Sequence, residues 1–124
     1  MLEVFEFKTV NPGKSILITG AVHGNEVCGA IASRNIIAKI ESGELKLKSG
    51  SITFIPVSNP EANRINERFF EVNLNRVIKK TENPKLYEEK IANILTDYMA
   101  SNDYQLDLHS MHENGKPFVF QDNQ

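Results

Sequence analysis

Five short segments of the chain have the apolar pattern of β-strands. The clearest is residues 15–19, a continuous apolar run rich in β-branched residues, which is typical of a strand buried on both faces. Residues 51–57 and 104–108 have the same character. Residues 2–8 alternate weakly and suit an edge strand, and residues 117–120 form a further candidate strand.

Two longer segments have the spacing of amphipathic helices. In residues 27–40 the apolar positions recur every three or four residues, and Gly43 follows as a helix terminator. The second helix is predicted to start with Pro84 at its first helical position, which proline suits. Its apolar face runs from Tyr87 to Tyr98.

The order of these elements predicts the architecture. Strands that alternate with helices favour right-handed crossovers and an α/β fold, with a mostly parallel or mixed sheet flanked by helices. The connection over residues 58–83 is much longer than most loops, so we expect it to be functional. Residues 61–68 within it are a candidate short helix.

Composition is that of an ordinary globular protein, and 124 residues fit a single domain. A net charge of −2 shows no excess of positive charge that would favour binding to nucleic acid or an anionic membrane. The sequence shows one cysteine, Cys28, and neither a secretory signal nor an apolar run long enough to span a bilayer. We therefore expect a cytoplasmic protein.

Candidate chemistry begins between the first buried strand and the first helix. His23 and Glu26 lie three residues apart there, and both are zinc ligands in sites built from two histidines and one glutamate. Gly20 and Gly24 would let the backbone pass close to such a centre. Alternatively, His23 is a loop histidine and Glu26 complements the helix N-terminus.

A third ligand candidate follows the strand at residues 104–108. His109 lies at the carboxyl end of that strand, where ligands of open α/β sheets bind. The alternative is a histidine at a strand end that forms hydrogen bonds and binds no metal. Asp107 either orients this histidine as an outer carboxylate or points to the opposite face. His112 is a spare candidate that we expect at the surface or rim.

The long connection should overhang the same edge of the sheet, and it carries Arg64, Arg68, Asn75 and Arg76. A guanidinium grips a carboxylate with two parallel hydrogen bonds, so Asn75 and Arg76 suit an anionic substrate. Arg68 could instead stabilise a developing oxyanion. The alternative is a solvated basic loop balanced by its own glutamates.

Several motifs in order resemble the succinylglutamate desuccinylase/aspartoacylase family, which belongs with the zinc carboxypeptidases. They are GAVHGNE with His23 and Glu26, NPEA at 59–62, Arg68, NLNR at 73–76, and DLHS at 107–110. The resemblance covers most of the chain. It implies a partial zinc-carboxypeptidase-like (phosphorylase/hydrolase-like) fold.

The resemblance also implies roles for individual residues. His23, Glu26 and His109 would bind one zinc ion per chain, and Arg68 would polarise the scissile carbonyl. Asn75 and Arg76 would hold the carboxylate of a small anionic N-acyl amino acid. The implied reaction is hydrolysis of that substrate's amide bond, a carbon–nitrogen bond outside peptides.

Two features depart from the family pattern. Asn73 stands where the family usually has aspartate, and the family's general-base glutamate has no match here, since nothing supports Glu113 in that role. The resemblance thus implies that residues 1–124 are the amino-terminal part of a zinc-dependent hydrolase catalytic domain, truncated after Gln124. Such a fragment would be inactive or weakly active.

Other functions stay open on the sequence alone. A carboxypeptidase-like peptidase would use the same ligands, and a non-catalytic module would keep affinity for metal or carboxylate. The preferred acyl group and amino acid, and the oligomeric state, do not follow from the residues. An uncovered sheet edge would favour pairing of copies into a homo-oligomer.

Overall fold

The computed structural model describes residues 1–110 and 116–121 of the chain. These residues form strands, helices and one short 3-10 turn in an alternating order. The elements are β1 (Phe5–Lys8), β2 (Ser15–Gly20), α1 (Cys28–Glu41), β3 (Ser51–Ile55), α2 (Pro60–Arg64), the 3-10 turn Leu74–Arg76, α3 (Tyr87–Ala100) and β4 (Tyr104–Leu108).

The strands form one mixed sheet in the order β1-β3-β2-β4. β2 pairs in parallel with both β3 and β4, whereas β1 pairs antiparallel with β3 at the edge. This confirms the α/β fold with a mostly parallel or mixed sheet, and it confirms the edge position of the first strand. The two parallel pairs bring three carboxyl ends to one side of the molecule.

Helices cover both faces of the sheet. Leu17 of β2 packs with Ile91 and Leu95 of α3 in the hydrophobic core. Gly20 lies on the opposite face by strand alternation, and a Cβ added there would lie 3.0 Å from the backbone of Ala30 in α1. None of the helices among residues 1–110 and 116–121 is long and apolar enough to cross a membrane.

The second long helix starts later than predicted. α3 begins at Tyr87 rather than at Pro84. The carboxylate of Glu89 accepts hydrogen bonds from the amides of Lys85 (2.8 Å) and Leu86 (3.1 Å), so it closes the first turn at Leu86. Proline at 84 therefore lies in the preceding loop, although the apolar face from Tyr87 onward is as expected.

Other predicted elements also differ from the structure: α1 spans Cys28–Glu41 rather than residues 27–40, and β3 ends at Ile55 rather than at residue 57. The first strand begins at Phe5, and the short helix of the long connection spans Pro60–Arg64. The strand predicted at residues 117–120 is wrong, because the structure pairs these residues with none of the four strands. Their apolar side chains are exposed, up to 90% for Phe120, so no sheet face buries them.

Asp103 fastens the starting ends of β2 and β4 together. Its carboxylate accepts hydrogen bonds from the Lys14 ammonium (2.7 Å), the Ser15 amide (2.8 Å) and the Ser15 hydroxyl (2.9 Å). The Ser15 hydroxyl in turn accepts from the Asp103 amide at 2.9 Å. The bond from Lys14, followed by those from Ser15, lowers the pKa of Asp103 from 3.8 to about 2.

We predict that Asp103→Ala destabilises the protein in a pH-dependent way. The pKa of Asp103 is lower in the folded state, so its contribution to stability is present above pH 3.8 and is lost as the pH falls through about 2. The difference in free energy of unfolding between wild type and variant, measured by urea titration, should therefore shrink over this range. Glu82→Ala, at an exposed position, is the control. A difference that stays constant down to pH 2 would contradict the prediction.

Candidate metal centre

The pairing of β2 with β4 sets the position of the site. Thr19 lies beside Asp107 and Gly20 beside Leu108, so the two strands end at the same level. His23 follows β2 by three residues and His109 follows β4 directly. Because the strands are parallel, both histidines leave the same edge of the sheet.

A tight turn places Glu26 beside His23. The Glu26 amide donates to the His23 carbonyl at 3.0 Å, which brings the two side chains to one side of the turn. Nδ1 of His23 lies 2.8 Å from Oε1 of Glu26. His23 is only 3% exposed, so the imidazole is fixed by its surroundings.

His109 reaches the same carboxylate from the neighbouring strand. Its Nδ1 lies 3.0 Å from Oε2 of Glu26, and the Ser110 amide donates to that oxygen at 3.0 Å. Potential ligand atoms of His23, Glu26 and His109 all lie within 4.8 Å of one another. The three predicted ligands are thus brought together, and we call them the His23–Glu26–His109 group.

Asp107 faces His109 rather than the opposite side of the sheet. Its Oδ2 lies 2.7 Å from Nε2 of His109, and its Oδ1 accepts a hydrogen bond of 2.8 Å from the Thr19 hydroxyl. An imidazole that donates Nε2–H to Asp107 presents Nδ1 to the group. Thr19 was not among the predicted site residues, since only the register of two distant strands places it beside Asp107.

The charges in the group act on one another. Burial lowers the pKa of His23 against the opposing effect of Glu26. Burial disfavours the ionised form of Glu26, but the Ser110 amide, His109 and His23 outweigh it and lower the pKa of this carboxyl. The hydrogen bond to Asp107 raises the pKa of His109. The carboxylate is therefore held in the form that binds a cation.

The donor set fits a metal ion. Two imidazole nitrogens and a carboxylate form a catalytic zinc set, and ions of this kind bind such atoms at about 2.0–2.2 Å. The second ring nitrogen of His23, Nε2, is buried without a hydrogen-bond partner among the described residues. Because both Nδ1 atoms face the Glu26 carboxylate, the group could hold a metal ion through these two nitrogens and Glu26.

Arg68 lies at the rim of the group. Its guanidinium donates to Oε1 of Glu26 at 3.1 Å, and its side chain is 48% exposed. Its carbonyl accepts a hydrogen bond of 3.3 Å from the Gly24 amide, which ties the long connection to the histidine turn. A molecule bound at the group would therefore meet this guanidinium.

Asn75 and Arg76 lie on the 3-10 turn, which is fixed by the fully buried Leu74. Asn75 is partly buried and Arg76 is exposed. Neither side chain forms a hydrogen bond or ion pair with the His23–Glu26–His109 group, so their predicted role stays a prediction. His112, the spare ligand candidate, and Glu113, which was not assigned a role, both lie outside the described residues.

Gly24 allows α2 to pack against the histidine turn. A Cβ at this position would lie 2.1 Å from the backbone carbon of Ala62, and the Asn63 amide group donates to the Gly24 carbonyl at 2.8 Å. Gly24 is therefore needed for contact with α2, whereas its predicted role of letting the backbone pass close to a metal centre stays a prediction. The buried Ala21, just before the turn, has a φ of 45°, which is rare for a non-glycine residue.

Comparison with known proteins identifies the family of the chain. Residues 12–120 match the model of the succinylglutamate desuccinylase/aspartoacylase catalytic domain. The chain belongs to this family. The resemblance found in the sequence motifs is thereby confirmed.

Individual members of the succinylglutamate desuccinylase/aspartoacylase family show the extent of the match. A succinylglutamate desuccinylase from Vibrio campbellii is 30% identical over 97% of this chain and 37% of its own length. An aspartoacylase family protein from Mesorhizobium loti superposes with a TM-score of 0.77 and 32% identity, over 87% of this chain and 34% of that one. A succinylglutamate desuccinylase from Vibrio parahaemolyticus superposes with a TM-score of 0.75 and 32% identity, over 87% of this chain and 40% of that one. The chain thus spans little more than a third of these relatives.

We predict that Gly24→Ala destabilises the protein by about 1–3 kcal/mol, the usual penalty for forcing extra volume into a packed site. The added methyl group must push the histidine turn away from Ala62, so affinity for a metal should fall as well. Urea unfolding and metal titration measure the two effects.

Gly43→Asn is the matched control for this substitution. Gly43 has a φ of 78° with nothing within 4 Å of an added Cβ, and asparagine tolerates this conformation after a helix. If Gly24→Ala unfolds at the same urea concentration as wild type, the close packing is not a constraint.

Proposed function

We propose that this protein is a zinc-dependent amidohydrolase that cleaves the amide bond of a small anionic N-acyl amino acid. The observation that carries the proposal is the convergence of two imidazole Nδ1 atoms on the Glu26 carboxylate, at the carboxyl edge of the sheet and beside Arg68. The family match supports a deacylase, since the similar proteins are named desuccinylase and aspartoacylase.

His23, Glu26 and His109 would hold the zinc ion. When bound, zinc supplies a Lewis acid and lowers the pKa of its water toward about 7. Asp107 would keep the His109 ring oriented through Nε2, and Thr19 would keep Asp107 in place. The Ser110 amide would hold Oε2 of Glu26 toward His109.

Arg68 would stabilise the charge that develops on the scissile carbonyl oxygen. Its guanidinium already lies beside the group in a half-exposed position, so it can turn from Glu26 to a bound substrate without leaving the edge. Hydrogen bonds from a charged donor are stronger than those from a neutral donor, which suits this role.

Asn75 and Arg76 would bind the substrate's carboxylate. The Arg76 guanidinium forms no ion pair among the described residues, so it is available to an anion. Asn73 replaces the aspartate usual in the family, and its side-chain oxygen accepts from the Asn75 amide at 3.0 Å. Asparagine and aspartate cap such turns equally well, so the substitution preserves the turn.

No described residue is assigned as the general base. We propose that it belongs to a longer protein, because the chain spans only 37% of its relative from Vibrio campbellii. The cytoplasmic location, the absence of a nucleic-acid or membrane partner and self-association through an uncovered sheet edge also belong to this proposal. The single cysteine supports the location, and the net charge of −2 supports the absence of those partners. Self-association is supported by the edge strands β1 and β4, each of which pairs on one side only in the described sheet.

We predict one zinc ion per chain in protein purified without chelator, measured by elemental analysis. His23→Ala, His109→Ala and Glu26→Gln should each abolish it, since loss of a ligand exceeds the roughly 10–100-fold loss of affinity on removing an outer partner. Asp107→Ala should show that smaller loss.

The control for Glu26→Gln is Glu61→Gln, which changes a glutamate on α2 whose carboxylate forms its ion pair, among the residues that the structure describes, with Arg64. It should retain the zinc. Zinc that persists in both histidine variants would show that the metal lies elsewhere.

We predict that Arg76→Ala raises KM for N-succinylglutamate or an N-acylaspartate about tenfold or more, the effect of losing a hydrogen bond to a charged group. Zinc content should be unchanged, because Arg76 does not contact the ligands. Release of free amino acid is measured for this chain and for the complete gene product side by side. An unchanged KM would remove Arg76 from the site.

The same assay separates the possible functions. A peptidase would cleave peptides in preference to N-acyl amino acids. A binding module would hold zinc or carboxylates without turnover in either form of the protein, and this result would contradict the proposal.

A further inference from the structure

Glu88 is a buried carboxylate that the proposed chemistry does not use. It lies in the first turn of α3 and is completely inaccessible to solvent. Burial of a carboxylate is costly unless its oxygens are hydrogen-bonded. Glu88 pairs with no cation among residues 1–110 and 116–121, so its partners must be dipoles.

Those partners are three consecutive backbone amides of the long connection. Oε1 accepts from Phe70 at 2.6 Å and Glu71 at 3.2 Å, while Oε2 accepts from Glu71 at 3.1 Å and Val72 at 3.2 Å. The side-chain amide of Asn59, the N-cap residue of α2, also donates to Oε1 at 3.2 Å. One side chain thus binds a stretch of backbone that has no strand or helix partner.

Two further contacts join the same segment to the start of α3. The Tyr87 amide donates to the Glu71 carboxylate, and the rings of Phe70 and Tyr87 meet edge to face with centroids 5.6 Å apart. The helix end and the segment are therefore docked through both backbone and side chains. Glu88 lies at the centre of this contact.

The segment carries the residues proposed to contact substrate. Arg68 precedes Phe70 by two residues, and the turn with Asn75 and Arg76 begins directly after Val72 and Asn73. Glu88 itself has no contact with the His23–Glu26–His109 group. Its other partner, Asn59, is the N-cap of α2, which supports the histidine turn. An effect of Glu88 on the reaction therefore passes through the segment where zinc content is unchanged, and through α2 where zinc is lost.

We infer that Glu88 is a positioning residue that holds segment 68–76 in the conformation that binds the substrate's carboxylate. This inference rests on the proposed function. Replacing Glu88 by glutamine would set an amide donor against backbone amide donors, so the segment would lose part of its anchor while the metal ligands stay in place.

The experiment compares Glu88→Gln with Glu89→Ala in the complete gene product. Glu89 lies one residue further along and caps α3 through Lys85 and Leu86, without contact to segment 68–76. Both variants should lower the melting temperature. Only Glu88→Gln should raise KM for the N-acyl amino acid, by about tenfold as for a lost charge-assisted hydrogen bond, with full zinc content.

A double variant separates positioning from simple loss of stability. If Glu88 acts through the segment, Glu88→Gln combined with Arg76→Ala should raise KM by less than the product of the two single effects. Full multiplication of the effects, or a KM for Glu88→Gln within about twofold of wild type, would overturn the inference. If Glu88→Gln fails to fold, Glu88→Asp, which keeps the carboxylate but is shorter, should raise KM in the same non-multiplicative way.

Failure of the proposed function has a different signature. In that case the wild-type protein itself lacks zinc or turnover, and the inference about substrate fails with it. An active, zinc-loaded wild type with an unaffected Glu88→Gln variant overturns the inference alone.

Discussion

The parallel pairing of β2 with β4 is the constraint on which the candidate site depends. Residues distant in sequence, Thr19 and Asp107, are neighbours in this pair, and the chain beyond each strand delivers one histidine. The Nδ1 atom of His23 then lies beside Oε1 of Glu26, and that of His109 lies beside Oε2. Without this pairing, the histidines would be separated by most of the chain.

Hydrogen bonds from residues outside the His23–Glu26–His109 group hold the group in place. Asp107 orients His109, the Ser110 amide orients Glu26, and α2 supports the turn through Gly24. A cluster of ionisable groups at the end of a sheet needs such support, because leaving a buried polar group without a hydrogen bond costs free energy. The surrounding fold supplies fixed dipoles at these positions.

The sequence predicted those parts of the structure that depend on local pattern. The strands and the apolar face of α3 follow from periodicity, and the meeting of His23, Glu26 and His109 follows from the rule that parallel strands end at one edge. The strand predicted at residues 117–120 is wrong, because an apolar run does not specify a pairing partner and none of the four described strands pairs with it. Helix α3 began later because the side chain of Glu89, rather than proline, sets its first turn.

Contacts between side chains and distant backbone could not be predicted. The pattern of α3 marks Glu88 only as an acidic residue in the first turn, which suits a helix N-terminus. Its amide partners lie 16 to 18 residues earlier in a segment without periodicity. Thr19 was missed for a related reason, since its partner is set by the register of two strands that are 88 residues apart.

The fastening of β2 to β4 at both ends makes their register part of the site. Asp103 holds the starting ends, and the Thr19–Asp107 hydrogen bond holds the carboxyl ends. A slip of one residue would turn Asp107 and His109 to the opposite face of the sheet. A strand pair that does not slide therefore keeps His109 in the site. The Asp103 anchor at the starting ends of β2 and β4 in this way stabilises the metal centre at their carboxyl ends.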